Sequence, residues 1–211
     1  MKYIIFSIFL FFNFSCEQTD IDRDRFKKEL EFFNHDFVNH FPDISDGKFS
    51  TYISKDGKFD VTEVFLLNNF NRKNYSENDF FNMFNSLKNS TKTIYSAGDT
   101  CLLVVNMFTT ATNISDRTKA SSKELKIFET KCLLGKLPVP NFWPLKKNDT
   151  TRCKLPNKFV LFVLDAKSGV YWDKRYLTDG KYMPDEWKHG YSKGIAMNNE
   201  TFEVIYWFVI W

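Results

Sequence analysis

The chain has almost no excess charge of one sign: 29 Lys and Arg stand against 26 Asp and Glu, and the formal net charge is +3. Loss of Lys2 with a cleaved leader would lower even that by one unit. A nucleic-acid partner therefore has no electrostatic support, because the surfaces that neutralise phosphates are strongly and locally basic. A run of roughly 18 or more apolar residues, the length a membrane-spanning helix needs, is also missing. There is no C-x-x-C pair, and the three His lie far in sequence from the cysteines, which leaves no basis for a zinc site. No metal and no cofactor is implied.

What is present begins with an apolar stretch. Lys2 is followed by Tyr3-Ile-Ile-Phe-Ser-Ile-Phe-Leu-Phe-Phe12, then Asn13, Phe14, Ser15 and Cys16, and Glu17, Asp20 and Asp22 end the apolar character. A basic residue before a short apolar run is the layout of a signal peptide, but an ordinary cleavage site wants small residues in an A-x-A-like arrangement. Of the residues ahead of the boundary only Ser15 is small. The stretch resembles a bacterial lipoprotein signal with a relaxed lipobox, although Phe12 and Asn13 depart from the common Leu-Ala/Ser-Gly/Ala-Cys pattern. The resemblance covers residues 1–16 and implies that 1–15 are removed, that Cys16 is acylated, and that the domain is tied to a membrane by palmitate-like chains.

Residues 16–23 are then expected to be the lipidated cysteine and a polar tether, and residues 24–211 one domain on the outer membrane or periplasmic face. The competing address is secretion without a lipid. It draws on six N-x-S/T triplets, among them Asn74-Tyr-Ser76 and Asn199-Glu-Thr201, which are glycan acceptors in a eukaryotic secreted chain.

The length beyond residue 15 suits a single domain with a sizeable core. Aromatics make up 18% of the chain, with 24 Phe, so that core is bulky. Beyond Cys16 the cysteines are Cys101, Cys132 and Cys153, an odd number for an oxidising compartment. Cys101 opens the apolar run Cys-Leu-Leu-Val-Val and reads as a buried hydrophobe, whereas Cys132 and Cys153 bracket a Pro-rich stretch, so these two are the expected disulfide.

Phe26, Leu30, Phe33 and Phe37 fall at helical spacing from about Asp24, and Pro42 closes that helix. Strands are expected over 48–54 and 61–70 around the Lys55-Asp-Gly57 turn. Ser76-Glu-Asn-Asp79 resembles a capping box opening a helix whose buried face is Phe80, Met83, Phe84 and Leu87. Residues 92–97 and 101–108 flank Gly98-Asp99 as a hairpin, followed by a polar loop over 109–122 and a short element over 123–128. Later strands are 159–164, ending at Lys167-Ser-Gly169, then 170–172, 195–197 and 201–211. From Val204 onward both faces of the last strand are apolar, which requires a central position or cover on both sides. Tyr206 to Trp211 is also similar to the last strand of outer-membrane barrels, but a barrel needs at least about eight strands with alternating faces. Helices early and antiparallel strands late give an α+β fold with two helices in the N-terminal half.

Three features invite a chemical reading. Gly190-Tyr-Ser-Lys-Gly194 matches the G-x-S-x-G nucleophile elbow, but that motif needs a strand before it, a helix after it and a later His. No His follows His189, so a Gly-flanked turn entering a strand is expected, with a Ser192–His189 dyad as the alternative. His35 and His40 are spaced i, i+5 instead of the i, i+4 of metalloprotease helices, and Asp36 is placed to pair with His40. The region 171–191 sets Trp172, Tyr176, Tyr182, Trp187 and Tyr191 among Asp173, Lys174, Arg175, Asp179, Asp185 and Glu186, a composition suited to a protein, peptide or glycan surface. The expectation is a lipid-anchored envelope protein that binds or interacts. The alternatives are an envelope hydrolase using Ser192 and His189 or the acids Asp173 and Asp185, and a membrane-held immunity or inhibitor lipoprotein.

Overall fold

The computed structural model describes residues 17–43, 47–52, 62–70, 76–105, 131–146, 148, 150–177 and 183–211. The organising element is the C-terminal strand. Every residue from Val204 to Trp211 is buried, and side chains alternate across a strand, so both sides of it must be covered. The chain meets this with one six-stranded sheet in the order β1-β2-β6-β5-β4-β3. Its strands are β1 (Lys48–Tyr52), β2 (Thr62–Asn69), β3 (Thr93–Ser96), β4 (Phe159–Ser168), β5 (Gly190–Asn198) and β6 (Glu203–Ile210). Every neighbouring pair is antiparallel. The fold is a single α+β domain, and β6 lies inside the sheet between β2 and β5.

One face of the sheet is covered by helices α1 (Glu17–Leu30), α2 (His35–Val38) and α3 (Glu77–Ser90). Here Val204, Tyr206, Phe208 and Ile210 of β6 meet Phe26, Phe33, Val38 and Phe80. Among the described residues no α-helix covers the other face. Ile205, Trp207, Val209 and Trp211 are covered there by irregular chain, through Leu102 to Val105, Val139, Phe142, Leu155 and Trp187. Fully burying a large apolar side chain contributes about 1.5–3 kcal/mol, which makes the eight-residue β6 the element least tolerant of polar substitution.

Local sequence explains the helix boundaries. Asn34 accepts a hydrogen bond from the Asp36 backbone and starts α2 after a break, so the expected single helix to residue 41 is two pieces. Ser76 and Asp79 form the expected reciprocal capping box on α3. Residues 17–23, expected as a tether, are the opening turns of α1.

The expected hairpin of 92–97 with 101–108 is not formed. β3 pairs with β4 instead, and Val104 makes an isolated parallel bridge to Val139, with Val105 N–H donating to Val139 O at 2.9 Å and Val139 N–H to Leu103 O at 2.9 Å. The apolar run from Leu102 is thereby spent on covering the sheet. The turn at 55–57, the polar loop 109–122 and the element at 123–128 lie outside the described residues.

Candidate functional site

The Gly190-Tyr-Ser-Lys-Gly194 motif lies wholly within β5. Alternation puts Tyr191 and Lys193 towards the helices and Gly190, Ser192 and Gly194 towards the irregular face. On that face the indoles of β6 and the residue after it lie across the small residues. A Cβ on Gly194 would stand 2.4 Å from Cζ2 of Trp207 and 2.3 Å from the Phe162 carbonyl oxygen, and one on Gly190 would stand 3.0 Å from Cζ2 of Trp211. The motif is a seat for two tryptophans, and the strained turn of a nucleophile elbow is absent from it.

Ser192 is fully buried in that seat. Its hydroxyl donates to Pro138 O at 2.7 Å and accepts Nε1–H of Trp207 at 3.3 Å. The proton that a general base would remove is already bound to a carbonyl, so the Ser192–His189 dyad is not assembled. His189 sits immediately before β5, with its carbonyl accepting the Gly169 N–H at 3.0 Å.

The disulfide joins Cys101 to Cys132, with Cα atoms 5.6 Å apart. This corrects the expected Cys132–Cys153 pair. Cys153 is free and fully buried, pointing at the Ala97 carbonyl 3.8 Å away. Burial pushes its thiol pKa up, which keeps it protonated and poorly nucleophilic. Cys101 is half-buried at the edge of the core, and the apolar residues after it, Leu102 to Val105, are the buried ones.

The sheet divides the candidate binding aromatics. Trp187 is buried on the irregular face, where it packs against Trp211 and accepts Nε1–H of Trp211 at its carbonyl, 2.9 Å. Tyr191 is buried on the helical face. Trp172 is half-buried there against Phe33, ring centroids 5.2 Å apart. Tyr176 is half-buried under the Arg175 guanidinium, 5.4 Å from its ring centroid. Tyr182 lies outside the described residues. Of the described ones, Trp187 is thus separated by the sheet from Trp172 and Tyr191. Among the described residues of this region, Val170 and Tyr171 are exposed in the turn after β4, next in sequence to half-buried Trp172.

Asp173 caps the short turn at Lys174–Tyr176 and pairs with Arg175 at 2.9 Å. Hydrogen bonds from Arg175 hold its carboxyl down at about 2. A carboxylate so fixed in its ionised form is a poor general acid at neutral pH, and Asp185 is an exposed residue opening the turn Asp185–Trp187.

Sequence reading missed a polar cluster beneath α2. The Tyr191 hydroxyl donates to Asp165 Oδ2 at 2.5 Å, and burial followed by that bond pushes its pKa up. Lys193 extends from β5 to the last turn of α2, where Nζ donates to the Asp36 carbonyl and, at 3.3 Å, to Asn39 Oδ1. His40 donates from Nε2 to the Trp207 carbonyl at 2.9 Å. The expected Asp36–His40 pairing gives way to these contacts, and His35, exposed on α2, does not join His40 in a ligand set. The signal available in the sequence was the alternation Tyr191, Lys193, Ile195 on one face of β5.

Among the described residues no helix is long and apolar enough to cross a membrane, and no group of three or more His, Cys, Asp or Glu is placed to hold a metal ion. No protein-family model, curated protein or solved structure matches the chain.

Proposed function

We propose that this chain is an exported, lipid-anchored cell-envelope protein, acylated at Cys16, whose domain acts by binding. The observation that carries the reading is the apolar run 3–12 ending in Ser15-Cys16 directly before acidic residues. Two or more acyl chains anchor stably where one binds only marginally, since each buried methylene contributes about 0.8 kcal/mol.

A binding role is supported by the turn after β4, where Val170 and one side of Tyr171 are exposed next in sequence to half-buried Trp172, and where Lys174 adds charge beside the Asp173–Arg175 pair. Such a mixture of aromatic faces and polar groups suits a protein, peptide or glycan partner. An immunity or inhibitor lipoprotein is one form of this reading. The hydrolase alternative loses its serine, because the Ser192 proton is held by Pro138 O.

Expression with a radiolabelled fatty acid tests the anchor. Wild-type protein is expected to take up label and sediment with membranes, while Cys16→Ala takes up none and is released from them. Equal labelling of both, or none of either, would overturn the proposal.

A further inference from the structure

α2 is only four residues long, too short to persist without tertiary contacts, yet it links α1 to the sheet. Three groups fasten it. Phe37 stacks on Phe208 with centroids 5.2 Å apart. Lys193 holds the carbonyl of Asp36. His40, two residues past the helix, donates from Nε2 to the carbonyl of Trp207 in the middle of β6. The opposite ring nitrogen, Nδ1, is buried and has no hydrogen-bond partner.

We propose that His40 is an acid-sensitive latch that fastens α1 and α2 to the sheet when neutral and releases them when protonated. Neutral imidazole has one donor, and Trp207 O takes it. A second proton must go to Nδ1, where nothing accepts it. The charged group facing the ring from β5 is Lys193, a like charge. β2 and β6 contribute Val64, Leu66, Phe208 and the neutral hydroxyl of Tyr206 to this face, and Phe41 lies against the ring at 4.6 Å. Acids on the surrounding segments are engaged elsewhere or in solvent: Asp165 with Tyr191 and Lys167, Glu29 of α1 with Thr51 and Arg25, and Asp43, three residues on, fully exposed near Lys27. Asp36, at the start of α2, is exposed.

Burial, reinforced by Lys193, pushes His40 down from 6.5 to about 4. The released form therefore takes the proton first. The latch is fully effective above about 6.5 and weakens as pH falls from there towards 4. Its opening constant rises about tenfold per pH unit in that window, or about twentyfold from pH 7 to pH 5.

Hydrogen exchange of the full chain at pH 7 and pH 5, corrected for intrinsic rates, reads this directly. Peptides from α1 and α2 are expected to open about twentyfold more at pH 5 while β6 peptides keep their protection. In His40→Gln, whose amide can still donate to Trp207 O, the change should fall below about twofold, since no imidazole titrates. An unchanged opening constant in wild type, an equal rise in the variant, or β6 opening in step with α2 would each overturn the proposal. Should the variant fail to fold, the His40 ring resonance of wild type decides. A native midpoint near 4 supports the latch, and one near 6.5 contradicts it.

Discussion

Gly194→Ala is the sharpest perturbation of the tryptophan seat. A new Cβ would come within 2.3 Å of the Phe162 carbonyl oxygen, 2.4 Å of Cζ2 and 2.5 Å of Cη2 of Trp207. The carbonyl belongs to the neighbouring strand β4, and Trp207 is fully buried, so neither can yield by turning into solvent. Overpacking of this kind costs about 1–3 kcal/mol. Displacing the indole also breaks its bond to Ser192 Oγ and leaves a buried N–H without an acceptor, a further 1–3 kcal/mol or so. The sum is about 2–6 kcal/mol, and at about 2–4 °C per kcal/mol for a domain of this size the melting temperature should fall by about 4 °C at the least and by up to about 24 °C. Thermal unfolding followed by circular dichroism measures it, with Gly135→Ala as the control. Gly135 has φ of +71° and nothing within 4 Å of its Cβ position, so only about 1 kcal/mol of backbone strain applies there. If Gly194→Ala melted within about 2 °C of wild type, the seat would not be the reason for the glycine.

Ser192→Ala should also destabilise, by about 2–4 kcal/mol, because Pro138 O and Trp207 Nε1–H both lose their partner; a variant of unchanged stability in urea unfolding would contradict this. Reducing the Cys101–Cys132 bridge, with a sequence separation of 31, should cost about 4 kcal/mol on the chain-entropy model, whereas Cys153 should react with a maleimide only after unfolding. Tyr191 has a pKa raised above 10 by burial and by Asp165, so its contribution is complete below pH 10 and is lost as pH rises beyond it. Tyr191→Phe should therefore flatten the alkaline limb of the stability profile, and an unaltered limb would refute that. Ser76→Ala removes the capping box of α3 and should cost about 1 kcal/mol, read from the same unfolding curves.

Local patterns were readable where one force decided the outcome. The run from Val204 is apolar on both faces, and only an interior strand satisfies it; β6 is that strand. Ser76 and Asp79 announce a helix start through backbone hydrogen bonds that span three residues. Long-range choices were not readable. Whether β3 pairs with the segment after Gly98 or with β4 depends on which apolar run must cover the irregular face, and Leu102 to Val105 took that task. The disulfide failed for the same reason: a Pro-rich loop between two cysteines says nothing about where a third approaches. Gly190-Tyr-Ser-Lys-Gly194 carried a true regularity, small residues on alternate positions, whose cause was the pair of tryptophans opposite. The polar cluster of Tyr191, Asp165, Lys193 and His40 draws on β4, β5 and the end of α2, and no spacing in the chain marks such a meeting.

If a folded α+β domain hangs from acylated Cys16, the intact mass of the membrane-extracted protein, taken before and after reduction, shows it. The expected chain begins at Cys16, carries added acyl mass, and gains about two mass units on reduction as the Cys101–Cys132 disulfide opens. A chain without acyl mass, or one bearing glycans, would contradict it.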